Sequence, residues 1–160
     1  MKSARKIELK RVVELMQAST TSPAERMSCL EWLGEGIDKI SGPKVEAILA
    51  RMLMDDDNSV VRHEVAFLLG RLYGLNQIEG TRALEVLCLS GLNDQSPLVR
   101  HEAAESLGWF HTKEAIDVLR RLENDSIPDV AATASIALEQ LQAGPADASG
   151  FGFEVGPGQM

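Results

Sequence analysis

Two histidine–glutamate pairs stand in nearly the same words. His63–Glu64 lies in VRHEVAFLLG and His101–Glu102 in VRHEAAESLG, and together they use two of the chain's three histidines. Imidazole nitrogen and carboxylate oxygen suit iron, zinc or manganese. Two histidines with one carboxylate and open positions are a pattern of non-haem Fe(II) oxygen chemistry. Metal ligation by His63, Glu64, His101 and Glu102 is therefore the chemistry to weigh first. The plain alternative is a repeat that tolerates polar residues after Val-Arg, with both histidines on an ordinary surface.

Stepping from these residues to what must position them, the chain repeats. Aligned on Leu-Gly, ERMSCLEWLG ends at Gly34, VRHEVAFLLG at Gly70 and VRHEAAESLG at Gly108, spacings of 36 and 38 residues. A weaker copy, DVAATASIALEQL, follows 31 residues on, with Val130 for Val99 and Leu138 for Leu107. Helix-start signals open the copies: Ser22-Pro23-Ala24-Glu25, Asn58-Ser59, Ser96-Pro97, and Ser126 with Asp129. Between them, 43–53, 79–92 and 113–122 carry apolar residues at spacings of three and four, and a further helix is expected over about 3–18. No useful stretch alternates at period two. Eight short helices in pairs, recurring every 31–38 residues, predict an all-α fold: an α–α superhelix, a right-handed solenoid of HEAT-like pairs over residues 1–143. Residues 144–160, dense in Gly and Pro, are expected to form a flexible tail, with Phe151 and Phe153 as its apolar residues.

On an ideal helix with His101 at zero, Glu102 stands at about 100°, Glu105 at about 40° and Gly108 at about −20°. Glu105 is thus a candidate outer-shell partner of His101, or simply a solvated residue. The missing side chains of Gly70 and Gly108 leave room for close helix packing or open a cavity for something bound. In the earlier copy Phe67 replaces Glu105. Stacked repeats bring equivalent positions to about 10 Å, so the two pairs should project from one side. Met27-Ser28 stands in the pair's place in the first copy, and Ala131-Ala132 in the fourth.

Composition narrows the function classes. Apolar residues make up 44% and aromatic residues only 4%, so the core must be aliphatic. A net charge of −8 argues against a nucleic-acid groove and favours a basic, lysine-like substrate or partner. Cys29 and Cys88 have no CxxC spacing and fall on apolar helical faces. They read as buried free thiols, which points to a reducing, cytoplasmic compartment. No run approaches the roughly 18 apolar residues of a membrane span, and the N-terminus lacks a signal-peptide pattern. Arg62 and Arg100 are expected to bind acidic loop residues such as Asp57 or Asp94. His111 reads as a capping or surface residue, and Asp55-Asp56-Asp57 as a solvated turn. No Ser-His-Asp set or phosphate-binding glycine loop is present.

The words VR…AA..LG resemble the short PBS-lyase-type HEAT repeats. More specifically, Val60–Leu141 resembles one half of a deoxyhypusine hydroxylase. HEVAFLLGRL is followed by HEAAESLG and then by IPDVAATASIALEQL, in that family's order. The resemblance implies a di-iron monooxygenase built on HEAT repeats, whose four His-Glu pairs hold two irons that activate O2 to hydroxylate a modified lysine on a translation factor. Carried over, His63, Glu64, His101 and Glu102 become iron ligands. This chain has one half and therefore two pairs. A two-fold homodimer restores four pairs around a shared pair of irons, because an isologous interface presents the same patch twice. The alternative is a non-catalytic HEAT-repeat adaptor that binds a protein partner. A third, a chromophore-binding repeat protein, is weakened by the scarcity of aromatic residues.

Overall fold

The computed structural model describes residues 2–18, 20–34 and 42–143. They form eight helices: α1 (Lys2–Gln17), α2 (Pro23–Gly34), α3 (Gly42–Asp55), α4 (Ser59–Gly74), α5 (Thr81–Asn93), α6 (Pro97–Leu107), α7 (Lys113–Leu122) and α8 (Pro128–Ala143). Among the described residues there is no strand. The eight-helix, all-α solenoid expected from the repeat spacing is the arrangement found. The segment 144–160, read as a tail, lies outside the described residues.

Each pair packs against itself, α1 on α2, α3 on α4, α5 on α6 and α7 on α8. Pairs then stack in two layers, α1–α3–α5–α7 on one side and α2–α4–α6–α8 on the other. The core between the layers is aliphatic: Leu49, Val61, Val65, Leu69, Leu87, Val99, Leu107, Leu119 and Val130 are all fully buried. At roughly 1.5–3 kcal/mol for each large aliphatic side chain withdrawn from water, this burial stabilises the stack. Among the described residues Phe110 is the largest fully buried side chain, and its ring stacks on Tyr73 with centroids 3.9 Å apart. Gly80 makes room for that pair. It has φ +86°, and a Cβ there would stand 2.3 Å from Tyr73 Cδ2.

Local chemistry starts the helices. Ser22 and Glu25 form the expected capping box: the Ser22 amide donates to Glu25 Oε2 at 2.9 Å and the Glu25 amide to Ser22 Oγ at 3.3 Å. Asn58 Oδ1 accepts from the amides of Val60 and Val61 at the start of α4. Ser96 precedes Pro97 at the start of α6 but makes no side-chain cap. The expected box at Ser126–Asp129 is displaced, because α8 begins only at Pro128. Helix α5 starts at a glycine cap that offers no side chain. Buried Glu46 of α3 supplies the acceptor instead, taking the amides of Arg82 and Ala83, each at 3.0 Å. A carboxylate at a helix N-terminus satisfies orphan N–H groups and complements the helix dipole.

An arginine ladder staples the repeats. Arg62 forks onto Asp94, Nε to Oδ2 at 2.8 Å and Nη2 to Oδ1 at 2.9 Å. Arg100 forks onto Asp125 at 2.8 and 3.0 Å. Arg26 reaches Asp56, with Nε 2.7 Å from Oδ2. Each arginine also donates to a carbonyl of the loop before its own helix: Arg26 to Thr21, Arg62 to Asp56 and Arg100 to Asp94. Each aspartate takes a backbone amide two residues on, from Asn58, Ser96 and Ile127. The structural role expected for Arg62 and Arg100 is thus present, with two changes of partner. Asp56 rather than Asp57 is the ladder residue of its turn, and Arg100 takes the Asp125 side chain. The fourth copy carries Ala131 at the arginine position, so the ladder ends there.

Cys29 is buried and Cys88 half-buried, and neither is paired. Burial pushes both thiols above their ordinary value, Cys88 to about 11, which keeps them protonated and unreactive. His111 is exposed, as expected for a surface residue. No helix among the described residues is long and apolar enough to cross a membrane.

Candidate functional site

The two His-Glu pairs lie on α4 and α6, neighbours in one layer. Their approach depends on a close crossing. A Cβ at Gly70 would stand 2.4 Å from Ser106 Oγ and 2.7 Å from Ser106 Cβ. Ser106 in turn donates to the Ala66 carbonyl at 2.9 Å, tying the crossing with a buried hydrogen bond. Gly108 meets α8 in the same way, its added Cβ falling 3.3 Å from that of Ala137. Of the two uses the sequence left open for Gly70 and Gly108, helix packing is the one seen. A neighbouring helix, not an open cavity, takes up the space.

Across this crossing, His63 Nε2 lies 3.1 Å from Glu102 Oε2. The Glu102 side chain is only 8% exposed and that of His63 27%. Glu102 holds the His63 imidazolium well enough to raise its pKa above the ordinary value, against the opposing effect of burial. The pair is therefore formed between repeats, from the histidine of one copy and the glutamate of the next. Sequence order, which joins His63 to Glu64, does not show this.

The next step of the stack repeats the register with a different residue. His101 Nδ1 lies 2.9 Å from Thr133 Oγ1 of α8. Thr133 Oγ1 also donates to the Asp129 carbonyl at 2.9 Å. With its single proton given to that carbonyl, the hydroxyl oxygen accepts from His101. In its neutral form the imidazole would carry its proton on Nδ1 and leave Nε2 as the lone-pair nitrogen. Thr133 thus occupies the place in the fourth copy that Glu102 holds in the third. The fourth-copy residues equivalent to the His-Glu pair are Ala132 and Thr133, one position later than Ala131-Ala132. Thr133 escaped sequence reasoning because its repeat has no histidine to draw attention to it. Alignment on Val130 with Val99 was enough to place it.

Two further carboxylates face this row. His101 Nε2 lies 3.7 Å from Glu105 Oε2, too far for a hydrogen bond. Burial, and then the charge of Glu102, raise the Glu105 pKa above its ordinary value, while His101 and His63 pull it down. Burial likewise raises Glu64, and Glu102 and Glu31 add repulsion. The register would set Glu64 against position 27, a methionine, so no imidazole answers it. Glu64, Glu102 and Glu105 thus form an acidic row beside the imidazoles of His63 and His101. Among the described residues, no three His, Cys, Asp or Glu side chains converge closely enough to hold a metal ion. The donor types fit a metal, and within one chain they form no complete ligand set.

The family model for HEAT repeats matches residues 86–149. Human deoxyhypusine hydroxylase, solved in complex with glycerol, superposes with a TM-score of 0.70 at 25% identity over 89% of this chain. The fold resembles that of deoxyhypusine hydroxylase. This chain covers 46% of the hydroxylase chain, so it spans about half of that enzyme's length. An engineered protein also superposes, with a TM-score of 0.64 at 25% identity, covering 85% of this chain and 64% of its own. No curated protein matches by sequence. The likeness to deoxyhypusine hydroxylase therefore rests on fold and modest identity.

Proposed function

We propose that this chain is half of a metal centre of the deoxyhypusine hydroxylase kind: a HEAT-repeat protein whose His63, Glu64, His101 and Glu102 ligate metal once a second copy faces them. The preferred metal is iron, two ions shared across a homodimer, although another divalent ion suits the same donors. The observation that carries the reading is the arrangement of His101. Thr133 binds its Nδ1, which orients the ring and leaves Nε2 for a ligand, as outer-shell partners of metal-binding histidines do. The raised Glu64 and Glu105 support it further, since a carboxylate row short of positive charge is relieved by a bound cation. Iron would supply the O2 activation needed for hydroxylation or a related oxidation. The chain would supply imidazole and carboxylate donors on adjoining helices, an oriented His101 ring, and an acidic surface that attracts a lysine-like group.

The test is iron content per chain together with molecular mass after ferrous loading, and the visible spectrum on exposure to O2. The expected result is stoichiometric metal on a dimer, lost in His63→Ala and in His101→Ala. A monomer at micromolar concentration that holds two irons per chain would overturn the shared site. The second reading is the non-catalytic adaptor, favoured by the lack of a convergent three-ligand group among the described residues. It predicts no bound metal and two thermally silent substitutions.

A further inference from the structure

A groove of about 500 Å³ runs between α6 and α8. It is lined by Leu98, Ile127, Val130 and Ile136, and by His101 and Thr133, which meet across it. Of the seven large apolar side chains exposed among the described residues, three, Leu98, Ile127 and Ile136, line this groove. Clustered apolar exposure of this kind marks a surface that binds something.

Charge shows what kind of partner fits. Helices α6 and α8 carry Glu102, Glu105, Asp129 and Glu139 against a single cation, Arg100. Arg100 is taken by Asp125, and Glu102 by His63. Among the described residues no lysine or arginine lines the groove. The placement of the carboxylates is regular. On α6, Leu98 and Glu105 stand seven residues apart, two turns along one face, or about 10 Å. On α8, Asp129 and Ile136 have the same spacing in the opposite order. The repeat register that matches Val99 with Val130 sets Leu98 opposite Asp129 and Glu105 opposite Ile136. Asp129 is part of the groove lining, and Glu105, its side chain 43% exposed, brings Oε2 to 3.7 Å from Nε2 of His101. Each end of the groove thus offers one exposed aliphatic side chain and one carboxylate. A second copy of the chain would bring the same carboxylates against one another. With a net charge of −8 on each chain, self-docking here is electrostatically opposed unless a metal intervenes.

We propose that the α6–α8 groove docks an amphipathic helix of a protein partner. Its aliphatic side chains meet Leu98, Ile127 and Ile136, and two lysines or arginines, two turns apart, meet Asp129 and Glu105. Apolar anchors laid into a groove between helices supply the affinity, and the paired charges set the register. The docking needs no metal and goes beyond the proposed function, so a failure of either leaves the other standing.

Methyl NMR on the full, metal-free chain reads it. The probes are two synthetic peptides of one composition, leucine, alanine and a pair of lysines over about 12 residues. In one the lysines flank the leucine stripe two turns apart; in the other they are moved to the opposite face. The first should shift the methyls of Leu98, Ile127 and Ile136, and leave unmoved those of Met54, Leu75 and Leu89, exposed outside the groove. It should bind about tenfold more tightly than the second. Ile136→Ser should abolish the shifts at Leu98 and Ile127, and Asp129→Asn should weaken binding severalfold, both in folded protein. Equal affinity for the two peptides, shifts spread over every exposed methyl, or no binding would overturn the proposal. So would groove shifts that grow with chain concentration without peptide, which would assign the groove to a second copy.

Discussion

Arg62 and His63 are neighbours in sequence, as are Arg100 and His101, yet the two rows they begin differ in kind. In the arginine row every guanidinium meets the aspartate of the next repeat, and that aspartate also takes a backbone amide. Each charge is matched within the chain. Pairing with Arg62 and Arg100 holds Asp94 and Asp125 below their ordinary value, Asp94 against a strong desolvation penalty. In the histidine row the count does not close. Glu102 answers His63, but Glu64 and Glu105 are driven up by burial and by neighbouring carboxylates. A closed row is a scaffold. A row with surplus carboxylate is where an outside cation has most to offer, and the contrast teaches that adjacent repeat positions can serve opposite ends.

The largest expected effect breaks the closed row. Arg62→Ala leaves Asp94, 8% exposed, without its partner. The cost should be about 3–5 kcal/mol, measured by urea unfolding. A loss below about 1 kcal/mol would show that the ladder is no better than surface pairing.

Next comes the crossing both rows share. Gly70→Ala drives a Cβ into Ser106 and should cost about 1–3 kcal/mol. Gly108→Ala should cost less, since its nearest non-local neighbour is Ala137 Cβ at 3.3 Å. Equal costs would remove the special role of the α4–α6 crossing.

The rows should also respond oppositely to pH. His63 is raised above 6.5, and Glu64 and Glu105 above 4.5. A raised group binds its proton more tightly when folded. Its contribution is complete below the unfolded value and is lost as pH rises through the folded one. Asp94 and Asp125 are lowered from 3.8, so theirs is present above that value and lost as pH falls through the folded one. Metal-free protein should therefore lose stability from the ladder below pH 3.8, and from the histidine row as pH climbs above 4.5 and then through the His63 titration. Glu105→Gln should flatten the early part of the alkaline-side decline in a series of thermal melts. An unchanged slope would place the strain elsewhere.

The smallest effect is the control. Lys113 and Asp117 form an exposed ion pair on α7. Lys113→Ala should leave the urea midpoint essentially unchanged, which sets the baseline against which loss of a ladder rung is judged.

Much of the fold was legible because it is local and repeated. The Leu-Gly spacing marked α2, α4 and α6, the capping box at Ser22–Glu25 formed as read, and apolar recurrence at three and four placed α3, α5 and α7 to within a few residues. Cap positions were less secure. At α8 the start is Pro128, after a turn in which Asp125 takes the Ile127 amide. The site was legible in residue type but not in partnership. His63 and Glu64 read as a pair because they are adjacent, whereas adjacency on a helix turns side chains about 100° apart.

The sequence by itself determined a four-pair helical stack, an aliphatic core, and which residues carry imidazole and carboxylate on the α4–α6 face. Periodicity alone suffices for those, since each depends on residues a turn or two apart. Tertiary structure decided which residues meet: His63 with Glu102, His101 with Thr133, Arg100 with Asp125, and Glu46 with the start of α5. Those contacts join positions 25 to 39 residues apart. They depend on how far one repeat rotates and slides on the next, which is set by small residues at the crossing, Gly70 against Ser106 above all.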